Sequence, residues 1–272
     1  MALNKMRRSS VVLPFGPGSL HNLRNGIAVI TAGLDHWYES NDGAKADDFE
    51  EFRISEWRLQ KQLGVDYFQL PPEFRRPAKG AKTKNALLTI PVFRFPCWYV
   101  CSRCGAMEEH ELTRSAFVNC ARCQEKGKRV RMAQIRFIAV CDHGHVQDFP
   151  WREWVHRSSA PLCNLPLAYK SSGASGLGSI RIACACGVSR TLENVFAADP
   201  DGSGSYLSRN LEGSGTTGTP FVCPGRRPWL GDNTGAGCGR PLRGALRSGT
   251  NVYYGEVRSA IFIPAGGTRP NA

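Results

Sequence analysis

The sequence contains no long apolar run. Its 272 residues include nothing close to the ~20 consecutive apolar residues that cross a bilayer as a helix. The start, "MALNKMRRSSVVLPFG", has a charged front but no apolar stretch as long as that of a secretory signal. These absences favour a cytoplasmic protein. Because a reducing compartment disfavours disulfides, we expect the eleven cysteines to hold metal, with zinc as the default ion.

Phosphate-loop motifs are also lacking. The stretch "LPFGPGSLHNL" at 13–23 carries Gly16 and Gly18, but a Walker loop requires a Lys followed by Ser or Thr. A dinucleotide fingerprint requires three glycines that open a helix after a strand, and Pro17 removes a backbone donor from the middle of this loop. We therefore expect a tight turn that buries Phe15, without nucleotide chemistry.

Acidic residues are few relative to basic ones. The chain has 35 Lys and Arg against 23 Asp and Glu, a formal net charge of +12. Such an excess favours a polyanionic partner, which in the cytoplasm is usually nucleic acid, although a solvated basic surface is the alternative. The candidate nucleic-acid contacts are Arg122, Lys126, Lys128, Arg129, Arg131, Arg226, Arg227, Arg243 and Arg247. Trp229, close to several of these arginines, is suited to base stacking but equally to a core position.

Two closely spaced cysteine pairs carry the strongest signal. Cys101 and Cys104 are followed after fifteen residues by Cys120 and Cys123. A two-residue gap lets both sulfurs of a pair face one ion, and two such pairs complete a tetrahedral zinc site with no open position. Closed coordination indicates a structural role. Gly105 follows the first pair, where the turn often requires positive φ.

A second set of cysteines has looser spacing. It consists of Cys184, Cys186, Cys223 and Cys238. We predict that these four residues bind a second zinc ion. The metal would then join segments far apart in sequence and lower the entropic cost of loop closure during folding.

The segment "CDHGHVQDFPW" offers further ligands. With a more distant cysteine, the candidates for a third metal or structural site are Cys141, His143, His145 and Cys163. One alternative is a structural hydrogen bond between His145 and Asp148. Another is a cysteine hydrolase in which His145 activates Cys141. Catalysis is disfavoured because sequence neighbours seldom form a nucleophile and base pair, so no catalytic residue is assigned. Cys97 has no predicted role.

Hydrophobic patterning predicts mostly strands. The candidates are "ALLTIPVFRFPCWYV", "AQIRFIAV", "SGLGSIRIACACG" and "NVYYGEVRSAIFIP". A short helix is predicted through "EWRLQKQLG", capped by Ser55, ended by Gly64, and with Trp57 and Leu63 on its apolar side. The expected fold class is α+β and β-rich, with zinc-ribbon-type modules joined by irregular segments.

We predict three consecutive regions along the chain. Residues 7–95 form an N-terminal region of β-strands and turns with a short helix, and residues 96–135 form a zinc ribbon. Residues 136–264 form a second β-rich, zinc-stabilised region. Within that region, 199–220 is a Gly- and Ser-rich excursion that is typical of a loop or linker.

Several sequence blocks occur together in one order. They are "RRSSVVLPFGPGSL", "AGLDHW", "RFPCWYVCSRCG", "RFIAVCDHGHVQDFPW", "IRIACACG", "CPGRRPWLG" and "LRSGTNVYYGEVRSAIFIP". In this order, from residue 7 to residue 264, they resemble the N-terminal part of the DrmB family. DrmB is the helicase-associated component of the DISARM anti-phage defence systems of bacteria.

The resemblance implies a cytoplasmic, zinc-containing, non-catalytic subunit. It would act beside a helicase-like ATPase, similar to DrmA, in recognising and restricting foreign DNA, and the ATPase motifs would belong to that partner. Family members are longer and carry a further C-terminal domain, so any activity of that domain lies outside this sequence. The residues alone leave two alternatives: a stand-alone DNA-binding protein, and a nuclease or cysteine hydrolase.

Overall fold

The computed structural model describes most of the chain. The described ranges are 6–40, 43–77, 79, 83–114, 116–200, 204–209, 221–231 and 235–261. The predicted β-rich α+β fold is confirmed, because short strands and a few short helices make up the regular structure. Within the described residues, no helix has the length and apolar character needed to span a membrane.

The strands are short and numerous. They are β1 (Leu20–Asn22), β2 (Ala28–Thr31), β3 (Glu39–Ser40), β4 (Arg53–Ile54), β5 (Phe68–Gln69), β6 (Leu88–Thr89), β7 (Val92–Arg94), β8 (Trp98–Cys101), β9 (Ala106–Glu109), β10 (Met132–Gln134), β11 (Phe137–Val140), β12 (Val146–Asp148), β13 (Leu167–Ser171), β14 (Ile180–Cys184), β15 (Ser189–Thr191) and β16 (Arg243–Leu246). The helices are α1 (Trp57–Leu63), α2 (Ala121–Gln124), α3 (Trp151–His156) and α4 (Tyr206–Arg209). Single 3₁₀ turns occur at Arg8–Val11, Leu34–His36, Glu50–Phe52, Leu177–Ser179 and Pro228–Leu230.

Two compact units divide the chain. The larger unit contains Pro17–Asp35 and Pro91–Tyr253, and the smaller unit contains Met6–Gly16, His36–Ile90 and the stretch from Tyr254. The division passes through the predicted region 7–95 because β2 pairs with β7, with Val29 opposite Arg94. Both predicted zinc-bearing regions contribute to the larger unit.

Antiparallel sheets organise the larger unit. Its main sheet has six strands in the order β10-β8-β9-β13-β14-β15, and two three-stranded sheets have the orders β12-β11-β16 and β1-β2-β7. The core buries large aromatic side chains, among them Phe137, Phe149, Trp151 and Trp154. Burial of each such side chain stabilises the fold by about 1.5–3 kcal/mol before entropic costs.

Proline residues interrupt the first predicted strand. The stretch 86–100 forms β6, β7 and β8 in place of one strand, with breaks at Pro91 and Pro96. Proline has no amide donor for a ladder, and it is therefore found mainly at strand ends and edges. The predicted strand at 133–140 likewise divides between β10 and β11, whereas the third candidate strand ends at Cys184 as β14.

The last predicted strand segment is wrong in its described part. Residues 251–261 contain no strand, and 262–264 lie outside the described residues. Tyr254 is 77% exposed and Ile261 is 80% exposed, so no sheet face covers these apolar side chains. The missed strand β16 lies slightly earlier, at Arg243–Leu246, and pairs with β11.

Helix α1 ends as predicted but begins differently. Gly64 adopts φ 65° at its C-terminus, whereas the N-cap is Glu56 in place of the predicted Ser55. The Glu56 carboxylate accepts a hydrogen bond from the Arg58 N–H at 3.1 Å. Trp57 is 63% exposed and Leu63 is also exposed, so the expected apolar face is not buried within the described residues.

The N-terminal glycine turn has a packing role. Gly18 has φ 79° and donates its N–H to the Thr31 carbonyl at 2.9 Å. A Cβ at Gly18 would lie 3.5 Å from the indole ring of Trp229, which is itself half-buried. Phe15 is half-buried rather than fully buried. The glycine at position 18 therefore serves the positive φ of a turn that packs beside Trp229.

The predicted excursion at 199–220 includes helix α4. Residues 201–203 and 210–220 lie outside the described residues, but α4 falls between them. Leu207 of α4 is fully buried in the main core, and Ser205 forms a bridge with Ala198. The Gly- and Ser-rich composition therefore did not predict α4, a helical turn that contributes to the core.

A buried carboxyl group lies beside the main sheet. Asp148 is the last residue of β12, and its Oδ1 accepts a hydrogen bond from the Cys97 N–H at 2.8 Å. Burial, only partly offset by that N–H, raises the pKa of Asp148 to about 7. The unfolded chain ionises near pH 3.9. The stabilising contribution of the protonated carboxyl is therefore complete below about pH 4 and is lost as pH rises through 7.

We expect Asp148→Asn to be increasingly stabilising as pH rises. The amide oxygen keeps an acceptor for the Cys97 N–H and the substitution removes the buried charge. Between about pH 5 and about pH 8, the free energy of unfolding of the variant relative to wild type should rise by about 3 kcal/mol. Denaturant unfolding at fixed zinc concentration measures this difference, and a difference that does not change with pH would contradict the account.

Candidate metal centres

Three clusters of four Cys or His side chains lie in the larger unit. In each cluster, one ligand atom from every residue lies within 4.8 Å of the others. The first cluster is Cys101, Cys104, Cys120 and Cys123; the second is Cys141, His145, Cys223 and Cys238; the third is His156, Cys163, Cys184 and Cys186. Each cluster can hold a metal ion. Cys97 is the one cysteine outside them, and it is buried.

Two turns build the first cluster. Cys101 ends β8, and the Gly105 N–H donates to its carbonyl at 2.9 Å. Gly105 has φ 70°, which confirms the predicted need for positive φ, and a Cβ there would collide with the carbonyl of Tyr169. Cys120 precedes α2 and Cys123 lies within it, so the second pair projects from the first turn of a helix.

The sulfur spacing of the first cluster fits a tetrahedral ion. Cys101 Sγ lies 3.7 Å from Cys123 Sγ, and Cys104 Sγ lies 3.5 Å from Cys120 Sγ. Four thiolates around zinc, each with a Zn–S bond of about 2.3 Å, would be about 3.8 Å apart. The four sulfurs therefore already stand close to the separation that a zinc ion requires.

A hairpin and a distant loop meet at the second cluster. Cys141 directly follows β11 and His145 directly precedes β12, with Cys141 Sγ 3.5 Å from His145 Nδ1. On the other segment, the Cys238 N–H donates to the Cys223 carbonyl at 2.9 Å. The pairing of β16 with β11 places Arg243 opposite Val140, the last residue of β11. The residues that precede Arg243 in the chain therefore lie near the end of β11.

An ion pair joins the same two segments. The Arg240 guanidinium forms a two-pronged contact with the Asp142 carboxylate, with Nε 2.9 Å from Oδ1. Its hydrogen bonds lower the pKa of Asp142 to about 2. Because the pair is solvent-exposed, its contribution to stability is small, and it adds one side-chain contact between the segment that follows Cys238 and the hairpin.

The third cluster joins a helix, a loop and a strand turn. His156 ends α3, Cys184 ends β14, and Cys186 follows in the tight turn before β15. Cys163 Sγ lies 3.6 Å from Cys184 Sγ, and Cys186 Sγ lies 3.5 Å from His156 Nε2. Leu167 pairs with Cys184 across β13 and β14, which brings the loop with Cys163 to the same edge.

The orientation of His156 suits a metal ligand. Its Nδ1–H donates to the Arg152 carbonyl at 2.8 Å. Occupation of Nδ1 leaves the Nε2 lone pair directed at the cluster, and such a partner is typical of histidines that bind metals. The sequence offered only an isolated His seven residues before Cys163, a spacing too unspecific to have identified this residue.

Electrostatics within the clusters oppose several negative charges without a cation. Burial opposes ionisation of Cys101, but the N–H groups of Cys104 and Arg103 outweigh it and lower its pKa to about 7. Burial raises the pKa of Cys120 to about 12. In the third cluster the Val188 N–H lowers the pKa of Cys186 to about 6, whereas burial raises that of Cys184 to about 11. A bound cation would stabilise every thiolate at once.

The structure divides the predicted ligand sets differently. The sequence grouped Cys184 and Cys186 with Cys223 and Cys238, whereas the structure places the first pair in the third cluster and the second pair in the second cluster. The physical reason is strand pairing, because β14 and β16 lie in different sheets.

The predicted third set is divided as well. Cys141 and His145 belong to the second cluster, and Cys163 belongs to the third. His143 lies beside the second cluster, with its Nδ1 3.4 Å from Cys238 Sγ. The hydrogen bond considered between His145 and Asp148 is replaced by contacts of His145 with Cys141 and of Asp148 with the Cys97 N–H.

The predicted nucleic-acid contacts lie mostly at the surface. Those that follow the first cluster, Arg122, Lys126, Lys128, Arg129 and Arg131, are all exposed. Among the later arginines, Arg227 and Arg243 are exposed, whereas Arg226 and Arg247 are half-buried. The first group therefore forms a solvent-facing basic segment around α2.

Two comparisons with known proteins bear on this arrangement. A family model described as "Domain of unknown function (DUF8724)" matches residues 7–254. The DISARM protein DrmB of Bacillus paralicheniformis is 28% identical to this chain over 229 residues. That match covers 80% of this chain and 35% of DrmB, so the chain spans about a third of the length of this curated relative. The resemblance to DrmB inferred from the sequence blocks is confirmed for this part.

We expect the metal content of cysteine variants to follow the structural grouping. Cys186→Ser and Cys238→Ser should each remove one bound metal ion per chain, and the double variant should remove two, because the residues belong to different clusters. Native mass spectrometry measures the content. Cys97→Ser is the matched control and should lose none. Loss of a single ion in the double variant would restore the grouping predicted from sequence.

Proposed function

This chain belongs to the family of the domain of unknown function DUF8724, and from this premise we propose that it is a zinc-stabilised, non-catalytic subunit of a DISARM-type anti-phage defence complex. Two observations support the proposal: the similarity to DrmB and the three closed clusters of ligands. We place the subunit in the cytoplasm beside a helicase-like ATPase similar to DrmA, which would supply the motor activity.

The three clusters carry the structural part of the proposal. Each supplies four protein ligands, which complete the tetrahedral coordination of a zinc ion and leave no coordination position for water or substrate. Ligand sets made of thiolates and imidazoles favour zinc over the hard cations magnesium and calcium. The second cluster joins residues more than 80 positions apart in sequence, from Cys141 to Cys223. Metal binding there would stabilise the folded chain directly.

The hydrolase alternative is disfavoured by the same geometry. Cys141 and His145 share their cluster with Cys223 and Cys238, so a bound metal would occupy the thiolate that the mechanism requires. Asp148 accepts a hydrogen bond from the Cys97 backbone and does not orient His145. These contacts favour a structural role for the segment that contains the two histidines.

Exposed apolar residues of the smaller unit favour a protein partner. Trp57, Tyr254 and Ile261 are each more than half exposed. The Arg58 guanidinium, which stacks on Trp57 with its Cζ 4.8 Å from the ring centroid, donates to the Ile261 carbonyl at 2.8 Å. Trp57 and Ile261 therefore lie at one surface patch. Aromatic residues with neighbouring arginine are enriched in the centres of protein interfaces.

Co-expression with the genomic neighbours of the chain tests this role. We expect co-elution with a helicase-like ATPase at fixed stoichiometry in size-exclusion chromatography with light scattering, and three zinc ions per chain by elemental analysis. Trp57→Ala should weaken the complex at least about tenfold without changing zinc content. Leu162→Ala, at an exposed apolar residue of the larger unit, is the matched control. A zinc-loaded monomer that does not co-elute with the products of the neighbouring genes would contradict the proposal.

Stand-alone DNA binding is the second candidate function. The exposed basic segment around α2 favours it, because lysine and arginine side chains there can reach phosphates. This function predicts that the isolated chain binds duplex or single-stranded DNA, with affinity that falls steeply as salt increases. Binding that appears only in the presence of the ATPase would favour the subunit role.

A further inference from the structure

A cavity in the larger unit collects positive charge. Its volume is about 350 Å³, and its walls include Arg94, Arg131, Arg247, Tyr99 and Phe117. The arginines come from three separate places: the end of β7, the segment before β10 and the segment after β16. None of the described residues that line the cavity is acidic. Three like charges facing one space repel one another unless an anion lies between them.

Arg247 carries the most direct sign of a missing partner. Its Nη1 is buried, and within the described part of the chain it has no hydrogen-bond acceptor. Desolvation, with a smaller contribution from the Arg136 charge, lowers the pKa of Arg247. A buried charged donor without an acceptor is costly for the folded state. An oxyanion in the cavity, bound by the accessible donors of this guanidinium, would supply the opposite charge.

Arg131 and Phe117 form the mouth of the cavity. The Arg131 Cζ lies 3.4 Å from the centroid of the Phe117 ring, which is 48% exposed. Arg94 approaches the same ring at 6.0 Å and donates to the Ala116 carbonyl at 2.8 Å. Stacking on an aromatic ring restricts a guanidinium and leaves its in-plane N–H groups available.

Hydrogen bonds next to the first cluster fix the walls. The Met132 N–H donates to the Val118 carbonyl at 2.8 Å, and the Cys120 N–H donates to the Val130 carbonyl at 2.9 Å. These bonds pair the segment that follows Phe117 directly with the segment that bears Arg131. The Gln134 side chain exchanges hydrogen bonds with the backbone of Ala28, which closes the far wall.

We infer that this cavity binds the oxyanion of a phosphate group, with Arg247 and Arg131 as its ligands and Phe117 as the ring on which the Arg131 guanidinium is held. Guanidinium groups match phosphate with paired hydrogen bonds. The phosphate can come from a nucleic-acid backbone or from a free nucleotide. The inference deepens the proposed DNA contact but rests on the cavity alone, so its failure would leave zinc content and partner binding unchanged.

The test uses the full, zinc-loaded chain and three probes. Inorganic phosphate and AMP are measured by the shift in melting temperature against chloride at matched ionic strength. A fluorescein-labelled oligothymidylate is measured by anisotropy, with phosphate as competitor. The variants are Arg247→Gln and Arg131→Gln. Arg181→Gln is the matched control, because Arg181 is an exposed residue of β14 outside the cavity and its replacement removes the same charge.

We expect wild type and Arg181→Gln to bind and both cavity variants to lose at least about tenfold in affinity. Oligothymidylate binding that depends on both arginines and is competed by phosphate identifies a nucleic-acid backbone as the source. Binding of phosphate or AMP alone identifies a free phosphate compound. Equal affinities in all four proteins, or no binding of any probe, would overturn the inference. If Arg247→Gln fails to fold, the Arg131→Gln variant alone tests the inference, because Arg131 is exposed.

Discussion

The cost of ionising buried, closely spaced thiols is the constraint on which the larger unit depends. Ten cysteines and two histidines are gathered into three clusters whose ligand atoms lie within 4.8 Å of one another. Without a bound cation, only a few sulfurs of each cluster can ionise. Ionisation of the remaining sulfurs is then unfavourable. Burial raises the pKa of Cys120 and Cys223 to about 12 in two different clusters. A divalent cation reverses that penalty, and the folded arrangement is then stabilised wherever the ligands are deprotonated.

Strand pairing brings together cluster ligands that are far apart in the sequence. The second cluster depends on the pairing of β11 with β16, and the third depends on the pairing of β13 with β14. The first cluster shapes the turn next to the arginine-lined cavity, so metal coordination and the cavity walls share the same short segments. The short strands bury a core dominated by aromatic rings such as Trp151 and Trp154. Coordination therefore supplements a sheet system whose individual strands are brief.

Local features were predictable from the sequence, and long-range partnerships were not. The first cluster follows from two cysteine pairs separated by fifteen residues, and Gly64 and Gly105 follow from the backbone conformation that their turns require. Cys184 and Cys223 were grouped in one predicted site, whereas they lie in different clusters, because a cysteine pair does not reveal which sheet will carry it. His156 and Arg94 acquire their positions only from tertiary pairing. The strand at Arg243–Leu246 was missed because its composition is not apolar, whereas the apolar stretch after it finds no covering surface among the described residues.

Zinc content combined with X-ray absorption at the zinc edge tests the central claim most directly. The account predicts three zinc ions per chain and an average shell of about ten sulfur to two nitrogen ligands over the three sites, without oxygen, since each cluster is complete with four protein ligands. Fewer than three ions in a folded chain, or clearly more than two nitrogen or oxygen ligands in total over the three sites, would contradict it. The first result would mean that a cluster is not a metal centre, and the second that a centre is open to water.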